Sequence, residues 1–323
     1  MKAVFVTNYG GPEVLVVKET NRPVPKENEI LVKVNAASIT TADSMMRSGT
    51  PRLARLFVGI SRPKKPIIGT GFAGVVEETG NNVLDFETGD AVFGLTGMNF
   101  AANAEYVCVP VTGVVFPKPD YLSFEEAAVM YDGPTTSFNF LKNLADIKPG
   151  QKVLINGASG SLGVAAVQIA KHMGAEVTAV CSTANVSLVQ SLGADHVIDY
   201  KKQDFTKGKV RYDVIYDTVG KSSFSKAKKV LTAKGMYLSP VLGLRLMLQM
   251  MVNGLRGGKK AKFDATGMKP VQEFRKMIDE LKEIIKTGSY NMVIENRYTM
   301  EQIVDAHRYI DSGRKRGNIV LSV

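Results

Sequence analysis

Residues 152–163 read Lys-Val-Leu-Ile-Asn-Gly-Ala-Ser-Gly-Ser-Leu-Gly. The run Lys152–Asn156 has the continuous apolar character of a buried strand, and Leu162–Met173 has that of an apolar helix closed by Gly174. Three glycines lie between and at the start of the helix. Gly157 permits a tight exit from the strand, Gly160 lets the backbone come close to a pyrophosphate, and Gly163 lets the helix pack on the sheet. The candidate cradle is therefore Gly157, Ser159, Gly160, Ser161, Leu162 and Gly163. The unpaired amides and the dipole of a helix start favour an anion there. The alternative is a glycine-rich turn with no ligand.

A second strand, Glu176–Cys181, follows the helix. Nucleotide enzymes that use NAD place a carboxylate near the end of this strand, on the ribose 2′-hydroxyl. Here the strand runs into Cys181-Ser182-Thr183-Ala-Asn185, with no carboxylate and no basic residue. Small hydroxyl and amide groups suit a 2′-phosphate, so NADPH is expected. Ser182, Thr183 and Asn185 can equally cap the next helix.

Strands and helices continue to alternate: helix Asn185–Leu192, strand Tyr212–Asp217, helix Ser222–Leu231, strand Met236–Val241. This predicts an α/β doubly wound parallel sheet. Upstream, the first 120 residues are short β runs punctuated by Gly, Pro and Asn, which predict a separate β domain. Ser123-Phe-Glu-Glu126 and Thr299-Met-Glu-Gln302 are capping boxes that open helices. Val271–Lys286 has an amphipathic helical period, and Asn318–Val323 is a closing strand. The expected division is 1–122 for the first part of the β domain, 123–267 for the nucleotide domain, and 268–323 for the rest.

Composition narrows the function classes. Two cysteines, Cys108 and Cys181, in 323 residues exclude a disulfide scaffold and a four-cysteine zinc lobe. Three histidines argue against a histidine metal site. The longest apolar stretch, Val241–Val252, is interrupted by Arg245 and Gln249, so no membrane span is expected. A cytoplasmic protein is the expectation. The net charge of +10 permits nucleic acid as a partner, but no basic stripe carries interleaved aromatics.

Several further blocks carry a likeness. They are Ile68–Val76, Thr88–Gly94, Ala104–Val107, Ser191–Tyr200, Tyr212–Gly220 and Gly313–Val320. With the turn at 156–163, the chain resembles the zinc-independent medium-chain dehydrogenases/reductases, the quinone oxidoreductase-like proteins. The resemblance covers essentially the whole chain. It implies a GroES-like catalytic domain built from both chain ends around a central Rossmann domain, with the active site in the cleft between them. Zinc members carry ligands where this chain has Ser38–Asp43 and Gly69–Phe72, and none of those ligands is present. No zinc is expected.

The resemblance also assigns residues. An Asn-x-x-Asp-x-Tyr stretch that faces the nicotinamide matches Thr40-Thr-Ala-Asp43-Ser-Met45, so Thr40 replaces the asparagine and Met45 the tyrosine. Thr40 is a candidate substrate or ribose contact, or a satisfied turn hydroxyl. Thr135 fits a threonine presented to the nicotinamide amide. Tyr131 and Asp132, where small apolar residues are expected, are a candidate proton-donating pair, or else wall and cap. Tyr200 is placed near the 2′-phosphate, Val219 in the coenzyme channel, Leu242 and Gly243 over the nicotinamide, and Asn318 approaching it. His172, His196 and His307 fall outside the matched site; both cysteines read as packing. Segment 244–262 reads as a packed helix with a basic loop, or as a lid or dimer contact, or as a stretch lying on a membrane surface.

The expected activity is hydride transfer from NADPH to a quinone or an α,β-unsaturated carbonyl, because a delocalised oxyanion needs little acid help. The alternative is an NADPH-binding regulatory or interaction protein with little turnover. A small-molecule substrate and a homodimer are expected.

Overall fold

In the computed structural model, strand Lys152–Asn156 pairs in parallel with Glu176–Cys181 on one side and with Tyr212–Asp217 on the other. The structure describes residues 1–50, 52, 55–243, 246–250 and 258–323. The chain goes outward from this strand twice. One arm adds Glu176–Cys181 and His196–Asp199; the other adds Tyr212–Asp217, Leu231–Leu238 and Lys260–Lys262. All pairings in this six-stranded sheet are parallel. The strand order thus reverses at Lys152–Asn156, and in such sheets ligands bind beyond the carboxyl end of the strand at that point.

Two compact units result, Met1–Asp132 with Ile294–Val323, and Gly133–Val293. In the first, the final strand Asn318–Ser322 runs antiparallel to Glu29–Ile39, so both chain ends build one seven-stranded sheet. Its other members include Gly71–Thr79, Ala91–Leu95, Val114–Pro117, Tyr106–Pro110 and Ile294–Thr299. The chain is therefore α/β, with a GroES-like sheet unit and a Rossmann-type unit. The core of the first unit gathers Ile30, Val32, Phe72 and Val92 from the sheet with Ile303, Ala306 and Ile310 from the helix Ile303–Asp311.

The helix Val271–Lys286, grouped above with the returning segment, lies in the second unit. Its buried residues Phe274, Met277, Ile278, Leu281, Ile284 and Ile285 recur at helical spacing. Each such side chain contributes roughly 1.5–3 kcal/mol when fully buried. That face packs against the helix Gly133–Phe138 of the same unit.

Three local expectations are corrected. The helix predicted over Ser222–Leu231 is only Phe224–Ala227, because Leu231 already belongs to a strand. That strand is Leu231–Leu238, not Met236–Val241. Its bulge against Tyr212–Asp217 absorbs the non-periodic stretch around Gly235. The helix predicted over Asn185–Leu192 is Val186–Ser191, after a tight turn at Thr183–Asn185. Both capping boxes, at Ser123 and Thr299, form as read. Among the described residues no helix is long and apolar enough to cross a membrane. Residues 244, 245 and 251–257 of the methionine-rich segment lie outside the described residues; 246–250 are helical.

Candidate active site

The three glycines of the turn all lie in the second unit. Gly157 has φ +81°, and a Cβ there would meet Thr218 Oγ1 and Val219 Cγ1, each at 2.7 Å. A Cβ on Gly163 would stand 2.1 Å from the carbonyl oxygen of Gly157, so this glycine is what lets the helix Ser161–His172 rest on the turn. Gly160 is different. A Cβ there would meet only the Gly157 carbonyl oxygen, at 3.6 Å. No other atom of the chain comes within 4 Å of that position, so the chain's own packing does not call for a glycine there. Gly160 is also the N-cap of the helix, with no side-chain cap on its amides. A pyrophosphate suits both facts.

The helix carrying Thr135 is seated directly on this turn. A Cβ on Gly133 would meet the Ser161 carbonyl oxygen at 2.4 Å, and Ser137 Oγ donates to the Leu162 carbonyl at 2.7 Å. Thr135 itself is fully buried.

Beyond the turn, Asp217 fixes the loop that follows the strand Tyr212–Asp217. Its Oδ1 accepts from Asn156 Nδ2 at 2.8 Å and from Gly220 N at 3.1 Å. Its Oδ2 accepts from Ser222 N at 2.9 Å and from the Tyr237 hydroxyl at 2.7 Å. Four bonds to one buried carboxylate hold Val219, 44% exposed, beside the Gly157 turn. Leu242 and Gly243 are exposed beyond the strand Leu231–Leu238.

The specificity end departs from the sequence reading. Ser182, Thr183 and Asn185 make no side-chain caps. Asn185 Nδ2 donates to Ser159 Oγ at 2.8 Å instead, tying the end of the second strand to the cradle. The Thr183 hydroxyl donates to Asp199 Oδ2 at 2.6 Å. A carboxylate does therefore reach this place, but from the end of the neighbouring strand, where the local sequence of the second strand could not reveal it. The Thr183 hydroxyl, with Lys202 and Lys201 nearby, holds Asp199 below the usual carboxylate range. Cations are present as well. Tyr200, 59% exposed, lines an open concavity of about 470 Å³ with Lys201, Lys202, Gln203, Asp204 and Lys207. Basic residues, absent just after Cys181, thus stand after the neighbouring strand. Cys181 is buried, and burial pushes its thiol up to about 11, which suits packing and not nucleophilic attack.

The remaining candidate residues are described within the first unit. Thr40 is the N-cap of the helix Thr41–Ser48. Its hydroxyl donates to Asp43 Oδ2 at 2.8 Å and accepts from Asp43 N at 3.2 Å, while its own amide donates to the same oxygen at 2.7 Å. The single hydroxyl proton is committed to Asp43, so a substrate oxygen could take it only by displacing the carboxylate. Burial pushes Asp43 up to about 6, against the two hydrogen bonds from Thr40. Its Oδ1 is buried without a hydrogen-bond partner. Asp132 and Lys315 act on Asp43 electrostatically. Burial holds the Lys315 ammonium below the usual lysine range, while Asp132, Asp43 and Glu295 pull it back. Lys315 was visible in the sequence only as part of a basic run. Tyr131 is 6% exposed, its ring 5.6 Å from that of Phe93. Asn318 is buried at the start of the closing strand.

A third polar group was not legible at all. Arg47 is 2% exposed and pairs with Asp311 at 2.7 Å. Ser44 donates its hydroxyl to Asp311 as well. His307, fully buried, lies close enough to both for their charges to act on it; burial first, then the Arg47 charge, push it down to about 4.

A parallel sheet with a glycine turn at its reversal point, together with a GroES-like sheet in the same chain, is the architecture of the dehydrogenase/reductase class. Two family models match, the alcohol dehydrogenase GroES-like domain over residues 26–120 and the zinc-binding dehydrogenase over 192–321. The chain is 31% identical over 334 residues to 2-methylene-furan-3-one reductase of Solanum lycopersicum, covering 99% of this chain and 79% of the relative. The structure of quinone oxidoreductase from Coxiella burnetii superposes with TM-score 0.89 at 27% identity, over 100% of this chain and 99% of the other. That of Escherichia coli quinone oxidoreductase complexed with NADPH gives 0.87 at 25%, over 100% of both. The chain belongs to the medium-chain dehydrogenase/reductase superfamily, among its quinone oxidoreductase-like members, and is an oxidoreductase.

The donors at the two stretches where zinc members carry ligands do not suit a zinc ion. The stretches 40–43 and 69–72 offer one carboxylate, Asp43, whose Oδ2 is occupied by Thr40. Among the described residues no three His, Cys, Asp or Glu side chains gather as a ligand set.

Proposed function

We propose that the protein is an NADPH-dependent, metal-free reductase of quinones or α,β-unsaturated carbonyls. The observation that carries this reading is the open space at Gly160 beside an uncapped helix start. Bound there, the nicotinamide nucleotide would supply two electrons as a hydride, which with one proton saturates an activated C=C bond or converts a quinone to its hydroquinone. The chain's residues bind, orient and protonate. The Gly157–Gly163 turn holds the pyrophosphate. Thr183 and Asn185, with Tyr200 and the lysines after it, take the adenosine end, and Lys201 and Lys202 offset Asp199 enough to admit a 2′-phosphate. Thr135, Val219, Leu242, Gly243 and Asn318 are assigned to the nicotinamide end. In the first unit, Tyr131 and Asp132 handle the proton. Thr40 serves mainly as the cap that fixes Asp43.

The test is NADPH oxidation with a panel of quinones, enals and enones, with a chelator present and absent. Turnover with at least one acceptor, unchanged by chelator, is expected. Tight NADPH binding with no turnover across the panel would sink the reductase reading in favour of a nucleotide-binding regulator. Loss of activity with chelator, restored by zinc, would overturn the metal-free part.

A further inference from the structure

A small pocket of about 90 Å³ lies wholly within the first unit. Its inner wall is Met46, Ile68 and Phe100, half-buried or buried. Its outer wall is Met98, 62% exposed, with Lys64 and Lys65 exposed beside it. Two wall residues are near neighbours in the chain of stretches described above. Met46 is on the helix capped by Thr40, and Ile68 immediately precedes the Gly69–Phe72 stretch.

The backbone that shapes this pocket is strained. Phe100 and Ala101 have φ of 56° and 73°, two successive non-glycine residues in the left-handed region. The bonds of Ala101 N to the Ile67 carbonyl and of Ala102 N to the Gly69 carbonyl hold them there. Such strain persists only where the surroundings enforce it, and it gathers at ligand sites. Its effect here is to bring the Phe100 ring onto the pocket.

The charge around the mouth is one-sided. Between Asp43 and Glu77 the sequence holds six lysines and arginines and no acidic residue. Lys65 donates to the neutral Asn99 side chain at 2.7 Å. Neither Lys64 nor Lys65 pairs with a carboxylate among the described residues. This run supplies part of the +10 net charge that the coenzyme turn leaves unexplained.

We propose that this pocket takes the non-reacting end of the substrate, a short apolar group of about three heavy atoms, in a molecule that carries a carboxylate held by Lys64 and Lys65 at the mouth. The substrate class is thus a short oxo-alkenoate in preference to a neutral enone. The substrate assignment rests on the reductase reading; the binding assignment does not. Methionine walls accept chains of varied shape, and exposed lysines select charge without fixing orientation.

Two measurements test it. In the first, methyl-labelled methionine spectra are recorded during titration with hexanoate and with 1-hexanol, the signals being assigned from M46L and M98L. Hexanoate is expected to shift the Met46 and Met98 methyls at lower concentration than 1-hexanol. No shift of these two signals, or equal response to both probes, overturns the proposal whether or not the protein turns over. In the second, kcat/KM is compared for a carboxylated enone and its methyl ester, in the wild type and in a K64E/K65E variant. The ratio is expected to fall by about tenfold in the variant, the combined worth of two exposed ion pairs. An unchanged ratio in an active variant overturns the substrate assignment. Absence of turnover with every acceptor, alongside the hexanoate shifts, counts against the reductase reading and leaves the pocket standing.

Discussion

The Thr183 hydroxyl is bonded to Asp199 Oδ2 at 2.6 Å, which joins the ends of two neighbouring coenzyme strands. It places a carboxylate where a nucleotide's ribose is expected, with Lys201, Lys202 and Lys207 beyond it. Coenzyme choice then depends on the balance of these charges. Asp199→Asn removes a repulsion from the 2′-phosphate and is expected to raise the NADPH-over-NADH preference by about tenfold. Lys201→Ala with Lys202→Ala is expected to lower it by a similar factor. Kd values for both coenzymes, measured at two salt concentrations, check this; equal weakening of NADPH and NADH by the lysine variant would count against it.

The glycines of the turn separate folding from binding. Gly163→Ala drives a methyl into the Gly157 carbonyl and is expected to lower Tm by several degrees. Gly160→Ala meets no such obstacle. It is expected to lower Tm by no more than about two degrees, the cost of alanine in place of glycine at an N-cap. Yet it should weaken NADPH binding by about tenfold or more. Calorimetric scans with and without NADPH give both readings.

The strands at 152–156, 176–181 and 212–217 were legible because they are short apolar runs bounded by glycine or charge, and the structure reproduces those bounds. The turn was legible because each glycine does a different steric task. What escaped is non-local. Asp199 meets Thr183 across 16 positions, and Arg47 meets Asp311 across 264; no spacing rule spans such separations. The Ser222–Leu231 helix was overread because its apolar residues Phe224, Val230 and Leu231 fit a helical period, while the second half is drawn into the sheet by pairing with Tyr212.

The Arg47–His307–Asp311 group makes a specific pH signature. His307 is pushed down to about 4 from 6.5, so the unfolded chain binds the extra proton between those values. Its neutral burial therefore stabilises fully above about pH 6.5 and is lost as pH falls toward 4, worth about 3 kcal/mol at most. Asp43 has the opposite slope. Raised to about 6 from 3.8, it stabilises below pH 3.8 and loses that as pH rises to 6. The two offset each other between pH 4 and 6. His307→Gln is expected to remove one side, so that relative to wild type the variant gains Tm progressively from pH 7 down to pH 4.5. A constant difference across that range would refute the assignment.

Tyr131, Asp132 and Thr40 can be told apart by kinetics. Thr40→Val removes a hydroxyl whose proton already belongs to Asp43; the loss is a helix cap, about 1 kcal/mol of stability. Its kcat is expected to fall less than about threefold, with Tm lowered. Tyr131→Phe keeps the ring contact with Phe93 and removes only the hydroxyl. If Tyr131 gives the proton, kcat should drop by about 10²-fold, with KM and NADPH affinity nearly unchanged. Asp132→Asn, which removes a charge acting on both Asp43 and Lys315, should instead shift the pH profile of kcat. With Asp132 gone, the Lys315 ammonium loses its strongest carboxylate support, so an alkaline limb that reports Lys315 is expected to move to lower pH. A Tyr131→Phe variant with wild-type kcat, together with a pH profile unmoved in Asp132→Asn, would take the proton role from this pair and leave it to water.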